Sequence, residues 1–305
     1  MPENGILYKA NLHCHSPVSG GSFTPENLKD IHMKNGYHAI AYTDHQVCIP
    51  HTQLTDENFV ALTGVEIAFG IGADTSVHIC GISRNPDTKL EIPNEKNDDI
   101  EKINSGIKKL NESGFITTLN HPRWSGISWE NLGKIESMAN IEVLNAYETV
   151  LDGYGDSSAI FELELRRGRN VCPVATDDSH KILEHSKPGY EYFKGFTYLK
   201  APKLTHDSLI NALDNKAFYA STGPKIYNMW LENGILYIEC SPVCGVYVHG
   251  KKYSHRYTMI KDNDTITKAE FDIGEKFADS DYFFVKIVDT KGARAWTCPY
   301  SPKEI

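Results

Sequence analysis

From residue 5 to residue 223, short apolar runs alternate with amphipathic helical segments, and most of the apolar runs stop at a histidine or a carboxylate. Alternation of this kind restricts a chain to layered α/β architectures, because crossover helices return each strand parallel to the one before it. The predicted strands are Ile6 to Leu12, Tyr37 to Tyr42, Phe59 to Val65, a run around Val77–Cys80, Phe115 to Leu119, Ile141 to Leu144 and Val171 to Ala175. Phe196 to Leu199 reads as one more short strand. Between them lie predicted helices. One is opened by Thr24 as N-cap with Pro25 at its first position and ended by Gly36; others span Asp98 to Ser113, Asp156 to Arg167 and Thr205 to Asn215. About seven strands suit a closed or nearly closed TIM-like barrel, whose functional groups gather at the carboxyl ends of the strands.

The residues at those ends are of one chemical kind. His13 and His15 flank Cys14, and in extended backbone residues i and i+2 face the same side. Asp44 and His45 follow the second strand, Glu66 the third, His121 the fifth, and Asp178 and His180 the seventh, with His78 inside the fourth. Imidazoles mixed with carboxylates suit Zn, Mn or Fe, and the number of ligands exceeds what one ion can use. The set therefore predicts more than one divalent ion, with Glu66 placed to bridge two of them. Such a centre hydrolyses esters with a hydroxide held between the ions. Arg123, two residues after His121, is a candidate clamp for a phosphate group, with Lys181 and Lys194 behind it. Asp44 is a candidate for orienting His45 or a water, and His180 for protonating the leaving group.

Composition narrows the partners. A formal charge of −9 argues against nucleic acid and anionic membranes as general ligands. No basic segment followed by an apolar run opens the chain, and the seven cysteines are scattered. Both features predict a cytoplasmic protein with reduced thiols. After Ser221-Thr222-Gly223-Pro224 the pattern changes to short alternating segments with Asn233-Gly234 as a hairpin signal. This predicts two domains, a barrel over 1–224 and a small antiparallel β-sandwich over 225–305.

The order of the motifs resembles the PHP (polymerase and histidinol phosphatase) family: His13-x-His15, Asp44-His45, Gly64-Val65-Glu66, His78, Asn120-His121-Pro122 and Asp178-x-His180. The resemblance covers roughly residues 5 to 223 and implies a distorted (β/α)7 barrel holding two or three divalent ions (Mn, Zn or Fe). It further implies a phosphoesterase acting on a small phosphorylated molecule. By position, the first ion would take His13, His15, Glu66 and Asp178. The second would share Glu66 and add His78 and His121, and a third would use His45 and His180. One departure stands out: Gly20 occupies the place where many members carry a ligating Asp, which predicts a weak third site. Residues 217–224 and 293–296 resemble the CehA/McbA-like branch, whose named members cleave an aryl carbamate. A carboxyl-ester, carbamate or amide hydrolase therefore stays open beside the phosphoesterase, as does a non-catalytic metal-binding module.

Overall fold

The opening apolar run forms β1 (Ile6–Asn11), and the predicted Thr24 cap and Pro25 open α1 (Pro25–Lys34), with Thr24 accepting from the Asn27 amide. β2 (Ala39–Tyr42), a short β3 (Val47–Cys48) and β4 (Val60–Gly70) follow. β5 (Ser76–Ser83), a short β6 (Leu90–Glu91) and α2 (Ile100–Glu112) come next, then β7 (Phe115–Leu119) and α3 (Trp129–Leu132). The chain continues through β8 (Asn140–Asn145), α4 (Ala146–Leu151), α5 (Ser158–Arg166), β9 (Cys172–Thr176), β10 (Phe196–Ala201), α6 (His206–Asp214) and β11 (Phe218–Ser221). The computed structural model describes residues 5–70, 75–92, 99–180, 190–251, 255–260, 264–274 and 277–302.

These strands do not close into a TIM barrel. The main sheet has an open order whose near half reads β11-β10-β1-β2-β4-β5-β7-β8-β9. Only β1, β2 and β4, and then β7, β8 and β9, run parallel; β5 is antiparallel to both its neighbours, and β10 is antiparallel to β1. The expected (β/α)7 alternation fails where the connections are too short for a crossover helix, since β4 and β5 are a hairpin. β9 ends the sheet and carries Pro173, a residue that an edge strand tolerates. Beside it, Thr197 Oγ1 donates to the Ala175 carbonyl and accepts from the Ala175 amide, and Cys14 pairs with Ser179 as an isolated bridge. Side chains and one bridge thus span the seam that a closed barrel would fill with a ladder.

Helices cover the outside. Ile103, Ile107 and Leu110 of α2 share a buried core with Phe115 and Leu119, and Phe161 and Leu165 of α5 join it beside Ile141 and Val143. Leu209, Ile210 and Leu213 of α6 pack with Val60, Leu62 and Leu199. Each such side chain contributes about 1.5–3 kcal/mol on burial. None of the helices among the described residues is long and apolar enough to cross a membrane. All seven cysteines are free.

The C-terminal segments form β12 (Ile226–Glu232), β13 (Ile235–Val243), β14 (Gly245–Gly250), β15 (His255–Met259), β16 (Ile266–Asp272), β17 (Phe283–Val288) and β18 (Arg294–Thr297). Asn233 and Gly234 both have positive φ (51° and 79°) and turn β12 into β13, with Glu232 opposite Ile235. β12, β13 and β16 make a separate sheet, and its Leu236, Ile238 and Phe271 pack on Val246, Val248, Val285 and Ile287 of β14 and β17. That second layer is continuous with the main sheet through β18, which pairs with β11. Ala220 sits opposite Trp296, so the two stretches resembling the CehA/McbA-like branch lie side by side.

Candidate metal centre

Every ligand candidate named from the sequence except Asp44 converges on one carboxylate or its neighbour. Glu66 Oε1 lies 3.2 Å from His13 Nε2, 3.0 Å from His78 Nδ1 and 3.5 Å from His121 Nε2. Its Oε2 lies 3.2 Å from His15 Nε2 and 3.1 Å from His45 Nδ1. Asp178 Oδ1 lies 3.3 Å from His13 Nε2, 3.1 Å from His15 Nε2 and 3.3 Å from His180 Nδ1. Glu66 is not at a strand end, as expected, but in the middle of β4, because the β4–β5 hairpin runs on to Gly70 and brings His78 across to it. His121 (φ 24°) and Asp178 (φ 51°) both have left-handed backbone, a conformation that costs a non-glycine residue about 1–3 kcal/mol and is concentrated at functional sites.

The donor atoms fit divalent ions. Asp178 Oδ1 and His45 Nδ1, which face the cluster, are buried and lack a hydrogen bond of good geometry among the described residues. Polar atoms converging on one buried point without full partners are what a cation satisfies. Three close sets form within the cluster: His13, His15 and Asp178; His45, Glu66 and His78; and His15, His45 and His180. Two details differ from the expected partition. His45 rather than His121 completes a close set with Glu66 and His78, and His15 joins His45 and His180, their ring centroids 4.6 and 4.1 Å from its own. A fourth set adds Cys80 to His13 and Glu66.

Electrostatics divide the cluster. Burial alone would discharge His13 and His15, but the carboxylates outweigh it: Asp178 foremost holds His13 well above the ordinary imidazole value, and the pairing with Asp178 and Glu66 raises His15 to about 9. The same pairing overcomes burial to hold Glu66 and Asp178 well below the usual carboxylate range. His45 and His180 go the other way. Burial lowers both, His45 to about 4, and leaves them neutral near pH 7.

Asp44 stands behind the cluster rather than in it. Its Oδ1 accepts from the Ser16 amide (2.8 Å) and Ser19 Oγ (2.5 Å), and its Oδ2 from Ser16 Oγ (2.7 Å). Ser19 Oγ in turn lies 2.9 Å from His15 Nδ1, so Asp44 reaches His15 through a serine and does not orient His45. Gly20, beside that serine, has φ 97° and offers no side chain. Arg123 is exposed and lies over the Tyr154 ring, 5.1 Å from its centroid, rather than clamped into the cluster. Lys194 is exposed too, and its backbone amide binds Asp177; Lys181 lies outside the described residues.

Sequence reasoning passed over Glu142, Trp124 and Tyr147. Glu142 is buried in β8 with Oε1 2.7 Å from His13 Nδ1. The signal was a carboxylate inside the apolar run Ile141–Leu144, which is costly unless paired. Trp124 packs against His121 and His78, with centroids at 4.8 and 5.5 Å, and Tyr147 stacks on His180 at 4.8 Å. Burial raises Glu148, on the same helix as Tyr147, to about 8.

No protein-family model matches the chain, and no curated protein matches it in sequence. Solved structures do. A two-domain protein from Bacteroides vulgatus, containing a predicted PHP-like metal-dependent phosphoesterase, aligns over 98% of this chain and 96% of its own at TM-score 0.51 and 18% identity. That likeness establishes a shared fold across both the ligand-bearing sheet and the C-terminal layers. An inferred metal-dependent phosphoesterase from Bifidobacterium adolescentis (15% identity, TM-score 0.43) aligns over 70% of this chain and 96% of its own. An amidohydrolase from Chromobacterium violaceum, solved with bound sulfate and no metal (15%, 0.42), covers 59% of this chain and 90% of its own.

Proposed function

We propose that this chain, sharing the fold of a protein with a predicted PHP-like phosphoesterase, is a metal-dependent phosphoesterase acting on a small phosphate ester. The observation that carries the reading is the convergence of five imidazoles on the two oxygens of buried Glu66, with Asp178 beside them. Two divalent ions are the expected complement, with room for a third; when bound, they lower the pKa of water and offset charge developing on the ester oxygens. The first would be held by His13, His15, Glu66 and Asp178, the second by Glu66, His78 and His45 or His121, and a third by His45 and His180 with His15.

The chain's own part is to fix and screen this arrangement. Depressed carboxylate pKa values keep Glu66 and Asp178 ionised, so two negative charges face the cations at any working pH. Trp124 and Tyr147 wall part of the cluster with aromatic rings, Trp124 against His121 and Tyr147 against His180. Burial lowers the His180 pKa, and its neutral ring suits the ligand role it would share with His15 and His45.

A second reading, a neutral-ester, carbamate or amide hydrolase, is favoured by one observation. Among the described residues no lysine or arginine pairs with a carboxylate of the cluster, and the walls that line it are aromatic. A panel of phosphate, carboxylate and carbamate esters assayed with Mn, Zn or Fe separates the two. We expect turnover of a phosphate monoester that disappears on chelation; turnover of neutral esters alone would transfer the assignment, and turnover of none by metal-loaded protein would leave a binding module.

A further inference from the structure

Glu142 carries four donors. Its Oε1 lies 2.7 Å from His13 Nδ1 and accepts from Thr176 Oγ1 at 2.7 Å; its Oε2 accepts from the His121 amide at 2.8 Å and Asn145 Nδ2 at 3.0 Å. These partners come from the ends of β1, β7, β8 and β9, so one buried side chain ties together four strand ends that carry or flank ligands. Asn145 extends the hub. The same Nδ2 also reaches Asp178 Oδ2 at 3.0 Å, which leaves Asp178 Oδ1 as the oxygen without a hydrogen bond, turned toward His13 and His15.

We propose that Glu142 is the positioning residue of this centre: by accepting the Nδ1 proton of His13 it keeps His13 Nε2 free as a metal ligand. The proposal rests on the metal-centre reading above. It follows from the two nitrogens of one ring: a proton fixed on Nδ1 puts the lone pair on Nε2, the atom that faces Glu66, Asp178 and His15. The residue acts through His13 and touches neither ions nor substrate.

Glutamine at this position makes a sharp probe because it keeps the shape and exchanges one acceptor for a donor. The new amide NH2 cannot sit at the Oε2 position, where the His121 backbone N–H is fixed and cannot turn away. It must take the Oε1 position, where the Thr176 hydroxyl can rotate and His13 can change tautomer. His13 Nδ1 then accepts, and its proton moves to Nε2, the ligand atom. Glu142→Gln is thus expected to remove His13 from the first ion without removing any ligand from the sequence.

The experiment is imidazole nitrogen NMR on zinc-loaded protein, with zinc affinity measured by competition against a chelator. In wild type, His13 should show a ligated Nε2 and a protonated Nδ1 in a strong hydrogen bond. In Glu142→Gln the His13 signals should become those of an unligated ring protonated on Nε2, and affinity for the first zinc should fall about 10–100-fold. A His13 that keeps its wild-type signature and affinity in Glu142→Gln overturns the proposal, as does a wild-type His13 lacking the Nδ1 proton, a result that needs no variant to fold. Wild type that binds no zinc would instead sink the metal reading itself, so the two failures are distinguishable.

Discussion

The two sides of the cluster are built differently. On the deep side His13, His15, Glu66 and Asp178 are at most 3% exposed, and all four are gripped by neighbours: His13 by Glu142, His15 by Ser19 with Asp44, Glu66 by Asn120 and Asp178 by Asn145. On the shallow side His45 is 32% and His180 19% exposed; His45 lies beside the His15 ring, and His180 is held by Tyr147 stacked on its ring and by its Nδ1 at 2.9 Å from the Asp178 carbonyl. The deep side stores protons on His13 and His15, whereas the shallow side is already neutral. A buried, cross-braced set binds an ion in one geometry but must release protons to do so; an open neutral pair binds more loosely and releases none.

The strongest way to break this contrast is Glu66→Ala. It strips the shared carboxylate from five imidazoles and leaves buried positive charge unmatched, an effect of about 3–5 kcal/mol. Activity and stoichiometry should both collapse. His180→Ala, by contrast, should cost about ten-fold in turnover, roughly 1.4 kcal/mol. Similar losses in the two variants, measured on the same substrate, would erase the division between the sides.

Acid should act on the deep side first. Because His13 and His15 hold protons in the metal-free protein, with His15 near 9, ions must displace them. Affinity at the first site should therefore rise with pH up to at least about 9, and binding near pH 7 should release protons into the buffer. Calorimetry in buffers of different ionisation enthalpy reads that release directly, and a buffer-independent heat would refute it.

The third ion should be the weakest of the complement. Gly20 supplies no carboxylate, and the set that remains is His15, His45 and His180, with His15 shared with the first ion. Two ions should survive dialysis and a third should appear only at high metal concentration. Retention of three would put the shallow side on a par with the deep one.

Smallest of all should be Arg123→Ala. An exposed guanidinium lying over Tyr154 contributes less than about 1 kcal/mol, against the several expected of a phosphate clamp. A phosphate-specific loss of a hundred-fold or more would restore the clamp.

The same contrast explains what the sequence made legible. Ligand identity was readable because each histidine or acid interrupts or ends an apolar run, and period-two spacing puts His13 and His15 on one side. Most elements, including the Asn233-Gly234 hairpin, followed from patterns of the same kind. The support behind the ligands was not readable, since Glu142 reaches His13 across 129 residues and Asp44 reaches His15 through a serine in a loop. The sheet's open order was equally hidden: strand-like runs do not reveal direction, and β5 reads like its parallel neighbours although it runs against them.

If Glu66 organises a centre for several ions, removing its carboxylate must empty that centre. The most direct measurement is elemental analysis of wild type and Glu66→Ala after reconstitution with Mn, Zn or Fe and exhaustive dialysis. We expect two ions per wild-type chain and loss of both firmly held ions in the variant. Wild-type protein that retains no metal, or a variant that retains as much as wild type, would contradict it.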